Sequence, residues 1–285
     1  MTNEKIAILV DSGSDISEKL KEGMDVYSLP LRVTIDNNSY TDGLDITSKQ
    51  VYQALDTSKV TSSLPSGEDI ERQLHELKEQ GYTHIIAILI SSGLSGTYNV
   101  VRLLSEKEVG LTVAVYDTKN ISLGCGFIAL ETARYVKEGH SFDEALAFVD
   151  DALKRGKVYF TVGNLEYLQR GGRIGLVAGT VANVLNIKPV ISCNEDGIYY
   201  TITKVRGFKR SIQKMIDVAA HDLGDSKHYR VTLINADTSE NLEAILNYAK
   251  ERFPYATSVE FTDLSPTLGI HTGPEAVGIG TYRFD

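Results

Sequence analysis

The sequence predicts an α/β fold in two domains. Residues 1–157 form an N-terminal parallel-sheet α/β/α domain, and residues 158–285 a C-terminal α/β domain with a mostly antiparallel sheet. Three observations predict it. Short apolar runs alternate with capped helical patterns through the first half, as in a parallel sheet covered on both faces. After Gly156 the pattern changes to strands joined by a tight turn and followed by helices. A chain of 285 residues is also long enough for about two cores.

Ile6–Val10 reads as a buried strand, and the polar turn Asp11-Ser12-Gly13-Ser14-Asp15 leads from it into a short helix. Thr47 with Gln50, Ser66 with Glu68 or Asp69, and Ser141 with Glu144 resemble capping boxes. In such a box the first side chain accepts from an orphan N–H and the later one reaches back. Gly81 and Gly139 stand where helices 67–79 and 122–138 should stop. Between the helices lie the strands His84–Ile90 and Leu111–Tyr116. In the second half, Lys157–Val162, Ile187–Cys193 and Ile198–Lys204 read as strands. The last two are joined by Asn194-Glu195-Asp196-Gly197, where Gly tolerates positive φ. A helix 208–222, a strand 229–236, a helix 240–252 and a strand 258–262 follow.

Composition narrows the function. A chain 42% hydrophobic and 24% charged is globular rather than disordered. A formal charge of −9 counts against a general nucleic-acid binder or an anionic-membrane binder, since both partners are polyanions; only transient membrane contact is expected. Cys125 and Cys193 are too few for a disulfide framework or a structural zinc site, and the six histidines lack His-Glu-x-x-His spacing, so no metal is expected. The apolar run Ile6–Val10 is too short for a signal peptide, and Ile85–Ile90 too short for a membrane span of about 20 residues. The expected location is the cytoplasm.

Three segments carry possible chemistry. Ile90-Ser91-Ser92-Gly93-Leu94-Ser95-Gly96-Thr97-Tyr98 is a strand end, a small polar loop and a helix start. Gly93 and Gly96 let a ligand approach the backbone, while unpaired N–H groups and the Ser95 and Thr97 hydroxyls suit an anion. The competing reading is a serine-rich cap on an ordinary loop. Thr61-Ser62-Ser63-Leu64-Pro65-Ser66 is a second hydroxyl cluster, for which the competing reading is a plain turn and N-cap. Gly269-Ile270-His271-Thr272-Gly273-Pro274 places a histidine in a loop shaped by Gly and Pro.

Other signals are weaker. Gly124-Cys125-Gly126-Phe127-Ile128-Ala129 matches the dinucleotide fingerprint letter for letter but lies inside a helical pattern. It reads as small residues permitting close packing. Arg170, Arg173, Lys204, Arg206, Lys209 and Arg210 concentrate positive charge in an acidic chain, as a solvated face or a docking surface for an acidic partner. The runner-up function is a serine hydrolase acting on lipid esters, with Ser95 as nucleophile, His271 as base and Asp263 orienting it. Against it, Thr97 stands where the nucleophile elbow needs its second Gly.

Read together, these segments resemble the DegV family of fatty-acid-binding proteins, over nearly the whole chain. The resemblance rests on Ile8-Leu9-Val10-Asp11-Ser12-Gly13-Ser14-Asp15, Tyr40-Thr41-Asp42-Gly43, Ser62-Ser63-Leu64-Pro65-Ser66 and the Ile90–Tyr98 segment. It continues in Leu168-Gln169-Arg170-Gly171-Gly172-Arg173-Ile174, Ile187-Lys188-Pro189 and His271-Thr272-Gly273-Pro274. It implies a non-catalytic carrier, without a cofactor, that buries a long-chain fatty acid and presents its carboxylate to a separate ATP-dependent fatty acid kinase. The carboxylate is then held by first-domain loop hydroxyls at Ser62 and Ser95, with His271 in the same network and Gly96 and Thr97 supporting the loop. Arg173 and Arg206 match basic positions around the head group or at the partner surface. Where the family has Thr-Ser-x-Pro this chain has Ser62-Ser63-Leu64-Pro65, so either Ser62 replaces the threonine hydroxyl or Thr61 is recruited. Glu275 stands where Gly often follows the Gly-Pro pair, and is expected to face solvent.

Elementary energetics suit this ligand. Burying about 15 methylenes gains roughly 12 kcal/mol gross at about 0.8 kcal/mol each. The tail supplies affinity, and the hydroxyls mainly avoid the cost of an unpaired carboxylate. Residues 90–100 contain no Lys or Arg, which disfavours a phosphate. The small-residue stretch Leu123–Ala133 is a candidate tunnel wall.

Overall fold

The structure, a computed structural model, describes residues 4–21, 23–180 and 186–285. Its strands in chain order are β1 (Ile6–Asp11), β2 (Val26–Leu29), β3 (Arg32–Ile35), β4 (Asn38–Thr41), β5 (Val60–Ser63), β6 (His84–Leu89) and β7 (Thr112–Asp117). There follow β8 (Gly156–Val162), β9 (Ile187–Cys193), β10 (Tyr199–Arg206), β11 (Tyr229–Ala236), β12 (Phe261–Asp263) and β13 (Ala276–Arg283). The first sheet, in the order β2-β1-β6-β7, is parallel throughout. The second, β10-β9-β8-β13-β11-β12, is antiparallel except for the β11–β12 pair.

Two-residue periodicity explains how the parallel sheet is covered. Along β1, Ile6, Ile8 and Val10 enter one core while Ala7 and Leu9 enter another. In β6, Ile86 and Ile88 join the first core, and Ile85, Ala87 and Leu89 the second. Alternate side chains point to opposite faces of a strand, so an unbroken apolar run needs a cover on both. Helices Gly67–Glu79 and Thr97–Ser105 cover one face through Ile70, Leu74, Leu77 and Val101. The other face meets helix Leu123–Lys137, buried at every position from Leu123 to Ala133. The second sheet lies beyond it: Val158, Phe160 and Val162 share the first core, while Tyr159 packs with helices Phe208–Asp222 and Leu242–Arg252.

Helix Leu123–Lys137 is therefore the shared layer between the two large sheets. A Cβ at Gly126 would clash with the Ser14 carbonyl, and one at Gly280 with Leu123. The fingerprint-like glycines serve close packing, as their helical position suggests. The stretch Leu123–Ala133 is not a tunnel wall, however; it is consumed by packing, and the lining of the nearby cavities stops at Ile121 and Ser122.

The caps form as read: Thr47 with Gln50 and Ser141 with Glu144 close capping boxes, and Ser66 accepts from Asp69 N. Gly197, at φ +74, turns β9 into β10. Three features depart from the expectation. Residues 32–63 contribute a small antiparallel sheet, β4-β3-β5, whose polar, short strands gave no clear alternation. The chain ends in β13, which sits in the middle of the second sheet. His271 lies not in a loop but in the last turn of helix Pro266–Thr272, opened by Pro266 at its first position and stopped at Gly273.

Candidate functional site

Ser62, Ser95, His271 and Arg173 line one cavity of about 200 Å³, together with Leu94, Tyr199 and other residues. Four separate elements deliver them. Ser62 sits on β5, where pairing with Val33 fixes which face it presents. Thr61, its neighbour, is exposed and does not line the cavity, whereas Ser62 and Ser63 both do. Of the two alternatives at this position, Ser62 is the one delivered, and from a strand rather than a loop. Ser95 lies on the loop between β6 and helix Thr97–Ser105. Its hydroxyl is 2.9 Å from Thr97 Oγ1 and accepts from Thr97 N at 3.3 Å, so Thr97 supports Ser95 from a buried position. Gly96 precedes the helix without a side-chain cap.

His271 Nε2 is 2.7 Å from Ser62 Oγ, a hydrogen bond spanning 209 positions of sequence. Its Nδ1 is buried and has no hydrogen-bond partner. Space for the ring depends on Gly171, where any Cβ would collide with Nδ1. Burial, and then the charge of Arg173, push the imidazole down to a pKa of about 4, so His271 is neutral at ordinary pH. Arg173 donates from Nε to the Leu94 carbonyl at 3.2 Å and from Nη1 to the Gly171 carbonyl at 2.8 Å, which fixes the guanidinium at the cavity wall. No Asp or Glu lines this cavity among the described residues. Two hydroxyls, a neutral imidazole and one guanidinium suit an acidic or neutral oxygen-bearing head group.

Beside the cavity, and sharing part of its lining, is a smaller space of about 30 Å³. Phe160, Ile234, Ala236, Leu264 and Ala276 line it, and Ile121, Tyr199 and Leu268 belong to both spaces. Tyr199 stands edge-on to Phe160, ring centroids 5.0 Å apart. Tyr199 and Leu268 were not singled out by the sequence. Tyr199 hides in an ordinary strand pattern, and Leu268 belongs to the unrecognised helix.

Other candidates fall elsewhere. Arg206 is exposed at the end of β10, pairs in register with Ile187 and does not line the cavity, which removes it from the head group. Glu275 also stays outside; it accepts from Thr238 Oγ1 at 3.1 Å and Ser239 N at 2.9 Å, a turn rather than open solvent. The hydrolase triad does not assemble: Ser95 bonds Thr97, His271 bonds Ser62, and Asp263 lines a different cleft. That cleft, of about 670 Å³, contains Asp15, Asp42, Asp237, Lys21 and Lys49. Among the described residues there is no group of three or more His, Cys, Asp or Glu able to hold a metal, and no helix long and apolar enough to cross a membrane.

Residues 5–283 match the family model described as "Uncharacterised protein, DegV family COG1307". A DegV domain-containing protein of Clostridium perfringens is 36% identical over 98% of this chain and 99% of its own length. Another from Clostridium acetobutylicum is 35% identical over 97% and 98%. Among solved structures, a DegV family protein from Thermus thermophilus described by its fatty acid binding superposes with a TM-score of 0.91 at 28% identity, covering 98% of this chain and all of that one. A stearic acid-binding protein from Eubacterium ventriosum gives 0.87 at 27% identity, covering 98% of each chain. With its two large sheets, the helix they share and a match over nearly its full length, this chain belongs to the DegV family.

Proposed function

We propose that this protein binds a long-chain fatty acid, its carboxyl group at Ser62, Ser95 and His271 and its tail in the apolar space behind them. One observation carries the reading: the cavity holding Ser62, Ser95, His271 and Arg173 shares Ile121, Tyr199 and Leu268 with a neighbouring apolar-lined space, so polar groups for a head and apolar walls for a tail lie side by side. Relatives of the same fold bind fatty acids, stearic acid among them. Tail burial at about 0.8 kcal/mol per methylene supplies the affinity. The hydroxyls and the neutral imidazole replace water around the acid, and Arg173 favours its ionised form. The inner space of 30 Å³ admits a chain only as Leu268, Phe160 and their neighbours move apart.

The carrier works in the cytoplasm without a cofactor and with no catalytic step of its own. It presents the carboxylate to a separate ATP-dependent kinase, which transfers a phosphoryl group to form an acyl-phosphate. Residues 1–157 carry the hydroxyls and residues 158–285 close over the chain. Native mass spectrometry of the protein expressed in bacteria tests the reading. One acyl chain per protein is expected; protein that is empty and takes up no added palmitic acid overturns it.

A further inference from the structure

His271 and Leu268 reach the cavity from helix Pro266–Thr272, whose flanking strands β12 and β13 belong to the second sheet, whereas Ser62 and Ser95 belong to the first half. Two buried carboxylates of the first half bridge them. Asp15 Oδ1 accepts from Ser265 N, and Asp42 Oδ1 from Thr267 N, each at 3.0 Å. Both carboxylates are anchored on their other oxygen. Ser122 Oγ donates to Asp15 Oδ2, and Ser12 Oγ donates to Asp42 Oδ2 at 2.6 Å while accepting from Leu31 N. Asp15 is 7% and Asp42 3% exposed. Ser265, which flanks the helix, makes no capping bond of its own, so backbone donors at this end are met from across the interface.

We propose that Asp15 and Asp42 are positioning residues, a pair of clasps that hold the start of the Pro266–Thr272 helix to the first half of the chain and so keep the His271 ring on Ser62. The geometry stands without a ligand; its consequence for binding rests on the fatty-acid reading. The clasps account for two motif aspartates that lie outside the cavity lining and face the polar cleft. They also explain how a site assembled from both ends of the chain keeps a buried imidazole.

The test is NMR titration of the His271 ring in the delipidated full-length protein, with palmitic acid affinity measured in parallel. In the unaltered chain burial, and then the charge of Arg173, are expected to hold the ring's pKa at about 4. Asp42→Ala and Asp15→Ala are expected to raise that value by about one unit or more, towards the ordinary histidine value near 6.5. Loss of a nearby carboxylate by itself lowers a histidine pKa, so a rise reports lost burial and not a changed field. Asp42→Asn, which keeps an acceptor for Thr267 N, should stay near the unaltered value. Ser12→Ala, a milder change that loosens only the anchor of Asp42, should shift the ring part of the way and keeps the test available if the alanine variants fail to fold. Palmitic acid affinity should fall about tenfold in Asp42→Ala. An unchanged His271 titration in folded alanine variants, or in Ser12→Ala, overturns the proposal. Shifted titration in a protein that never binds palmitic acid overturns the fatty-acid reading instead.

Discussion

Two hollows among the described residues differ in what their walls can do. The cleft beside β1 and β12 is about 670 Å³ and holds aspartates, lysines and many hydroxyls, but its buried carboxylates already have partners. The cavity at Ser62 is less than a third as large, about 200 Å³, yet it offers hydroxyls, a guanidinium and an imidazole, and it shares three lining residues with an apolar-lined space. Size does not mark the site. A fatty acid needs polar groups with no carboxylate among them at one end and apolar surroundings at the other, and no Asp or Glu lines the Ser62 cavity among the described residues.

The largest effect should come from closing the interior. Ala236, 2% exposed and lining the inner space, is expected as Ala236→Leu to cut palmitic acid affinity by thirtyfold or more while sparing an acid too short to reach it. Isothermal titration with palmitic and hexanoic acids checks this; equal losses for both would erase the distinction between head and tail. Gly171→Ala comes next, because its methyl occupies the place of the His271 ring. Displaced from Ser62, the imidazole should regain an ordinary titration, and acid affinity should drop about tenfold or more.

Smaller losses separate the two serines from their neighbours. Ser62→Ala and Ser95→Ala should each cost about 1 kcal/mol of binding, roughly fivefold, as a typical hydrogen bond does. Thr61→Ala and Arg206→Ala should leave affinity unchanged, since both side chains lie outside the cavity. A loss at Thr61 equal to that at Ser62 would mean the strand presents its other face.

Folding stability offers the finest comparison, because titrating groups of the two regions act in opposite senses. Burial raises Asp11 and Asp15 to about 7, above their unfolded value of 3.8. Their contribution is fully present below the unfolded pKa and is lost as pH rises through 7. His271, lowered from 6.5 to about 4, contributes stability that is present above 6.5 and lost as pH falls through 4. Urea midpoints between pH 4 and 8 should therefore fall less steeply with rising pH in Asp11→Asn than in the unaltered chain. They should fall more steeply in His271→Gln. Parallel curves for all three proteins would remove burial as the cause.

Much of the molecule was legible because local chemistry spoke for it. Unbroken apolar runs such as Ile6–Val10 demand cover on both faces, and Thr47 and Ser141 mark helix starts by hydrogen bonds made within four residues. Residues 32–63 were less legible, since β3, β4 and β5 are short and partly exposed, and their pairing answers to each other rather than to a pattern within each strand. The helix bearing His271 was hidden by Gly269, whose lack of a side chain reads as a loop but serves close approach to the Tyr52 ring.

The sequence by itself determined the alternation of elements, the change of style after Gly156 and, through the family resemblance, the identity of Ser62, Ser95 and His271 as residues of interest. Only the tertiary structure decided that Ser62 rather than Thr61 faces inward, that Arg206 stands apart, and that Asp15 and Asp42 grip the helix from the far end of the chain. Helix caps and strand periodicity are set by neighbours a few positions away. A contact spanning 209 positions, such as Ser62 with His271, exists only after two sheets have packed about a common helix.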